Sequence, residues 1–257
     1  MNNNLDSFNE IAKRKAANLQ QEPVMPAYVA KSHDASGVDP KIVAYHEPRS
    51  PICEGYRAIF THLKQNLAQH DSRLFAITSA QKNEGKTITA LNLSVVIARD
   101  YKKKVLLVEG NLRNPIIDKL MNLNADEGLS NILSADIDYK KIIQSTAIPN
   151  LFIITAGKKV HNTVELLHSE RLKPLLERLK LDFDYIIIDT PSIISCADTK
   201  ILAPLVDGVI LTIKARGTRR EVVDRAEVII KEMRAKLLGF ILTDIEYYIP
   251  DFIYRHL

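Results

Sequence analysis

Residues 74–97 read Leu-Phe-Ala-Ile-Thr, then SAQKNEGKT, then ITALNLSVVI, and no other feature restricts the possible folds of this chain so sharply. The apolar run predicts a buried strand, and Gly-Lys-Thr opens directly onto a helix-favouring stretch. A strand that runs through a short loop into a helix lets backbone N–H groups and the helix N-terminus surround a phosphate. The first glycine of the G-x-x-x-x-G-K-[ST] spacing is replaced by Ala80, so the candidate nucleotide-binding residues are Ala80, Gln81, Lys82, Asn83, Glu84, Gly85, Lys86, Thr87 and Ile88. Lys86 is expected to reach the terminal phosphates and the Thr87 hydroxyl to ligate Mg2+. Gly-Lys-Thr alone would suit an ordinary surface turn; the flanking strand and helix give it meaning.

The rest of the chain repeats this alternation. Apolar runs at 74–78, 105–108, 151–155, 185–188, 209–213 and 237–242 predict strands, and the stretches 51–67, 87–100, 169–181 and 219–233 predict helices. The expectation is a doubly wound α/β fold of the P-loop NTPase type, its mainly parallel sheet covered by helices on both faces, with ligands at the carboxyl ends of the strands. With 257 residues, 46% of them hydrophobic, such a core is well supplied. Residues 1–50 lack sustained periodicity and are expected to form a flexible arm, residues 51–245 the nucleotide-binding domain, and residues 246–257 a short tail. The net charge of +4 comes without a long basic tract, so no nucleic-acid partner is expected. Two distant cysteines, Cys53 and Cys196, suggest neither a disulfide framework nor a zinc site, which fits a cytoplasmic setting. No apolar stretch is long enough to span a bilayer, so membrane association is expected to be peripheral.

Two further strand ends are acidic. Asp189 follows Tyr-Ile-Ile-Ile at 185–188, where a carboxylate would hold Mg2+ directly or through water. Glu109 follows Val-Leu-Leu-Val at 105–108 and leads into Gly-Asn-Leu-Arg113-Asn-Pro. Two readings stay open for each of these: Glu109 either assists metal or proton handling or satisfies loop N–H groups, and Arg113 either contacts phosphate or another subunit or sits on the surface.

In this order the motifs resemble the bacterial tyrosine kinases of capsule and exopolysaccharide export, whose cytoplasmic domains use a deviant phosphate-loop ATPase fold. The likeness runs from about residue 51 to 242 through SPICEGYRAIF, TSAQKNEGKT, VLLVEGNLRNP, ELLHSERLKPLLERLKLDFDYIIIDTP and APLVDGVILTIKARGTRREVV. The last two are more specific than a phosphate loop. The resemblance implies ATP and Mg2+ as cofactors, Lys86, Glu109, Asp189 and Arg113 as catalytic residues, and Thr87, Asp189 and Glu109 at the metal. It also implies transfer to tyrosines of a neighbouring subunit, with Tyr247, Tyr248 and Tyr254 as phosphoacceptor candidates. A homo-oligomer with Glu54 and Arg57 as contacts follows, together with a transmembrane polysaccharide co-polymerase as the partner at the inner face of the plasma membrane.

The chain departs from the family pattern where the chemistry is concentrated. Glu109 and Asn111 stand in place of two aspartates, Lys82-Asn83 in place of Pro-Gly, and Phe60 in place of the second arginine of Glu-x-x-Arg-x-x-Arg. Asparagine tolerates the left-handed backbone that the loop requires. Lys82 either favours nucleotide retention or is solvated, and Phe60 either serves an interface or packs in the chain's own core. Thr243 stands near the position of an asparagine that helps to read adenine, which loosens the expected ATP selectivity. The tail tyrosines alternate with Ile249, Phe252 and Ile253, so the tail either accepts phosphate or covers the domain. Asn111 also motivates a second functional expectation, a nucleotide-binding regulatory scaffold without transfer. A third is a partition-type ATPase, whose signature lysine would fall at Gln81.

Overall fold

A computed structural model describes residues 37–67, 74–135 and 137–245. Seven strands form one sheet in the order β3-β4-β2-β5-β1-β6-β7. They are β1 (Leu74–Ser79), β2 (Val105–Glu109), β3 (Gln144–Ser145), β4 (Leu151–Ile154), β5 (Tyr185–Asp189), β6 (Gly208–Lys214) and β7 (Leu237–Thr243). Every neighbouring pair is parallel except β3 with β4. Every residue of β1 and β2 is buried; because side chains alternate between faces, helices must cover the sheet on both sides. The described helices are α1 (Val43–His46), α2 (Pro51–Leu67), α3 (Lys86–Asp100), α4 (Ile117–Met121), α5 (Leu129–Ser134), α6 (Thr163–Leu167), α7 (Leu172–Asp182), α8 (Ala197–Leu202) and α9 (Arg220–Glu232). Among the described residues, no helix is long and apolar enough to cross a membrane.

The strand order decides where the site lies. β5 inserts between β1 and β2, and its last residue, Asp189, is in register with Ile77 on one side and Glu109 on the other. Three carboxyl-terminal strand ends, widely separated in sequence, therefore meet at the centre of the sheet, where crossing connections leave a crevice.

Helix α3 carries the domain's packing. Its residues 89–98 are all buried, so it lies within the core rather than on the surface. Burial of the polar Asn92 among them requires partners. Its Oδ1 accepts from Ala44 N–H at 2.8 Å, and its Nδ2 donates to Ile88 O at 2.9 Å and Lys41 O at 3.1 Å. This one amide fastens residues 41–44 onto α3. Val38, Ile42, Val43 and Ala44 are buried there, and Asp39 N–H donates to Leu120 O at 2.8 Å. The arm expected over residues 1–50 thus gives way at its end: residues 37–50 are part of the folded domain. Residues 1–36 lie outside the described residues.

Other differences are local. The helix expected over 169–181 is α7, which begins at Leu172, with the separate short α6 before it, and the short antiparallel β3 is an added edge. Phe60 packs in the chain's own core, with 1% exposure. It meets Tyr101 and Tyr185 edge-on at 4.5 and 5.1 Å between ring centroids. Arg57, one of the expected oligomer contacts, ties α2 to the end of α3 through Asp100 at 2.8 Å and to Pro48 O at 2.7 Å, while also bonding Glu54. Phe60→Ala is expected to destabilise the fold by about 3–5 kcal/mol through cavity formation and lost aromatic contacts, measured by denaturant unfolding.

Candidate functional site

The loop after β1 is shaped by two left-handed residues, Asn83 at φ +62° and Gly85 at φ +77°. Gly85 is the N-cap of α3 and supplies no side-chain acceptor, so no capping side chain meets the orphan N–H groups of the first turn. A helix that begins in this way at a strand end offers its amides and its dipole to an anion. Lys86 stands half-buried at that end, while Gln81, Lys82 and Asn83 are exposed. Ala80, in place of the first glycine, is fully buried.

Glu84, within the loop, acts as its lock. Only 2% exposed, it accepts from Gln81 N–H at 2.7 Å through one oxygen and from the Thr218 hydroxyl through the other. Its carbonyl accepts from Thr243 Oγ1 at 3.0 Å. A Cβ on Gly85 would lie 3.1 Å from the Thr243 methyl, so the turn needs glycine for space as well as for conformation. Thr243, expected near the adenine position, instead braces the loop. Neither threonine partner is visible from the loop sequence, because the contacts span 134 and 159 residues.

The first turn of α3 is joined to the sheet by Thr87, whose hydroxyl donates to Asp189 Oδ2 at 2.7 Å. Both groups are buried. Asp189 Oδ1 is also buried and has no hydrogen-bond partner, an arrangement that would be costly for a permanent anion. Burial pushes the Asp189 carboxyl up to about 7, with Glu109 adding to the rise, while Lys86 and the Thr87 hydrogen bond pull against it. A hydroxyl beside a free carboxylate oxygen at a phosphate-binding helix end fits Mg2+, a hard ion that prefers oxygen ligands and completes its shell with phosphate and water. Among the described residues there is no cluster of three or more His, Cys, Asp or Glu suited to a metal, so the nucleotide would have to supply part of that shell.

Glu109 is arranged differently. Its Oε1 accepts from Ile116 and Ile117 N–H at 2.6 and 2.8 Å, and its Oε2 from Ala156 N–H at 3.0 Å. Burial raises its carboxyl above the usual range, and these three amides hold it down. The longer arm of glutamate therefore ties the end of β2 to the start of α4 and to the end of β4. Asn111 closes the following turn, its Nδ2 donating to Asn114 O at 3.1 Å. Arg113 makes a forked contact with the fully buried Asp198 of α8, Nη2 to Oδ1 at 2.7 Å and Nε to Oδ2 at 3.0 Å. The structure thus brings Lys86, Thr87, Asp189 and Glu109 together and fixes Arg113 through α8. Tyr247, Tyr248 and Tyr254 lie outside the described residues.

The AAA domain family matches residues 72–237. A tyrosine-protein kinase of Bacillus subtilis (strain 168), YwqD, is 32% identical over 213 residues, which span 83% of this chain and 90% of that protein. The chain is a member of the bacterial tyrosine kinase family. Among solved structures, the chimerical protein CapA2B2 superposes with a TM-score of 0.75 at 28% identity, covering 87% of this chain and 96% of the other. The septum site-determining protein MinD from Pyrococcus horikoshii, solved with Mg-ADP, shares the fold at a TM-score of 0.58 and 23% identity over 72% of this chain and 76% of that one.

Two outcomes follow. Between the unfolded value of 3.8 and the folded value near 7, the native protein holds a proton that the unfolded chain has released, so Asp189 costs stability as pH rises through that window. Without metal, Asp189→Asn is expected to melt above the wild type at pH 8, by on the order of 2–4 kcal/mol, with the difference vanishing near pH 4. Glu84→Ala strands the Gln81 amide and the Thr218 hydroxyl and is expected to cost about 1–3 kcal/mol in denaturant unfolding, with Glu84→Gln closer to wild type.

Proposed function

We propose that the chain is an ATP-dependent protein-tyrosine kinase of the capsule and exopolysaccharide machinery. The observation that carries this reading is the Thr87–Asp189 pair with its unpartnered carboxylate oxygen, set beneath the uncapped N-terminus of α3 in a chain 32% identical to a tyrosine-protein kinase. Lys86 and the first-turn amides hold the phosphates and neutralise the charge of the migrating group. Thr87 and Asp189 would hold Mg2+, which would draw charge from the phosphate oxygens. The acceptor phenol forms a bond to the γ-phosphorus as the bond to ADP breaks, and its proton is released to solvent.

Glu109 has its oxygens occupied by backbone amides, so we assign it the shaping of the β2–α4 turn rather than the metal. Arg113, braced by Asp198, lines the same turn with 41% of its side chain exposed, which suits a contact with an incoming phosphate or subunit. Tyr247, Tyr248 and Tyr254 are the proposed acceptors, presented by a second copy. The kinase would work at the inner face of the plasma membrane, through a transmembrane polysaccharide co-polymerase.

Incubation with Mg2+ and ATP followed by mass spectrometry is expected to find phosphotyrosine among Tyr247, Tyr248 and Tyr254 and none in Lys86→Ala. Nucleotide binding and assembly without phosphotyrosine, on the tail or on a partner, would sink the kinase reading and leave the regulatory scaffold.

A further inference from the structure

A cleft between helices takes no part in the chemistry above. Its walls are α6, the start of α7, α8 and the turn 203–205, and its volume is about 560 Å3, within the size class of small-molecule sites. Val164, Leu167, Leu172, Ile201, Pro204 and Leu205 form its apolar surface. Hydrocarbon placed there would remove that surface from water. No lining residue is among the strongly exposed large apolar side chains of the described residues. The apolar surface is therefore confined to the cleft, which suits a small molecule better than a protein face of about 800 Å2.

The charged groups that line it are of one sign. Lys173, from the first turn of α7, and Lys200, from α8, line the cleft with His168 and Ser169, and no acid does. Neither lysine has an ion-pair partner among the described residues. Acids close by in sequence are engaged elsewhere: Glu165 accepts from Asn162 Nδ2 at 2.7 Å, and Asp198 is held by Arg113. Glu170 lies outside the lining, beside an equally exposed Arg171. The Ser169 hydroxyl is buried and has no hydrogen-bond partner, so the cleft wall holds a donor that the fold itself does not use. Helix α7 begins three residues later without a side-chain cap, and its positive end adds to the lysines.

We propose that this cleft binds a small amphiphilic anion, its hydrocarbon chain against the apolar surface and its head among Lys173, Lys200 and the Ser169 hydroxyl. Two head chemistries share that description, a fatty carboxylate and an alkyl phosphate ester, and both accept hydrogen bonds from ammonium and hydroxyl groups. The site stands whether or not the chain transfers phosphate.

The full chain, its phosphate loop saturated with Mg2+ and ADP, is titrated by isothermal calorimetry with decanoate, decyl phosphate and decyltrimethylammonium, each below its micelle-forming concentration. Both anions are expected to bind roughly tenfold tighter than the cation of equal chain length, and hexyl phosphate at least about tenfold weaker than decyl phosphate. Lys173→Ala with Lys200→Ala should lower anion affinity roughly tenfold and leave the cation unchanged. Ser169→Ala should melt with the wild type, since nothing in the fold uses that hydroxyl, yet bind both anions about fivefold more weakly. Tighter decanoate assigns the head to a fatty acid and tighter decyl phosphate to a phosphate ester, and either supports the site. Equal binding of anions and cation, no binding of any, or anion binding untouched by the two lysine substitutions overturns the proposal. So does binding of an acidic Leu-Glu-Leu-Glu-Leu peptide in place of both anions, which would give the cleft to a protein partner.

Discussion

The hydrogen bond from Thr87 to Asp189 joins the two halves of this site, and much else is arranged so that it can form. One partner opens the helix that follows β1; the other ends β5, 102 residues later. They meet because β5 pairs directly with β1 and because α3 begins at once after Gly85, whose left-handed backbone turns the chain without a side chain in the way. The remaining Asp189 oxygen is left buried without a partner. This is a poor arrangement for an isolated domain and a good one for a domain that binds a cation, since the electrostatic cost borne without ligand is relieved on binding.

The neighbouring carboxylate shows the opposite solution to the same physical problem. Glu109 and Asp189 end adjacent strands in register, and two buried anions so close would repel. Three backbone amides hold Glu109, which makes it part of the wall, whereas Asp189 keeps one buried oxygen without a partner and is open to a metal. Glutamate reaches α4 and the end of β4 at the same time. The departures from the family pattern at 109 and 111 thus read together as a rebuilt turn: Glu109 holds its far side, Asn111 closes its near side, and Asp198 fixes Arg113 above it.

The phosphate loop, the strands and the long helices were legible in the sequence because they depend on local pattern: apolar runs, a Gly-Lys-Thr at a strand end, helical spacing after it. Asp189 was legible as a candidate because it closes such a run. The partners that set each carboxylate's behaviour were not. Nothing local to Glu84 points to Thr218 or Thr243, and nothing near Arg113 points to Asp198. The same limit applied to residues 37–50, which look like a linker by composition and are tied to α3 at Lys41 and Ala44 by Asn92 and Arg99. The short β3, α4, α5, α6 and α8 are too brief for periodicity to reveal.

The sequence by itself therefore determined the class of fold, the strand-loop-helix unit and the residue types available to phosphate and metal, since each is written within a few consecutive positions. Only the tertiary structure decided which carboxylate is free. Asp189 and Glu109 are both acids at the ends of apolar strands, and no local pattern separates them. The difference lies in three N–H groups from α4 and the end of β4 that converge on one and not on the other, and the strand order brings those groups to it.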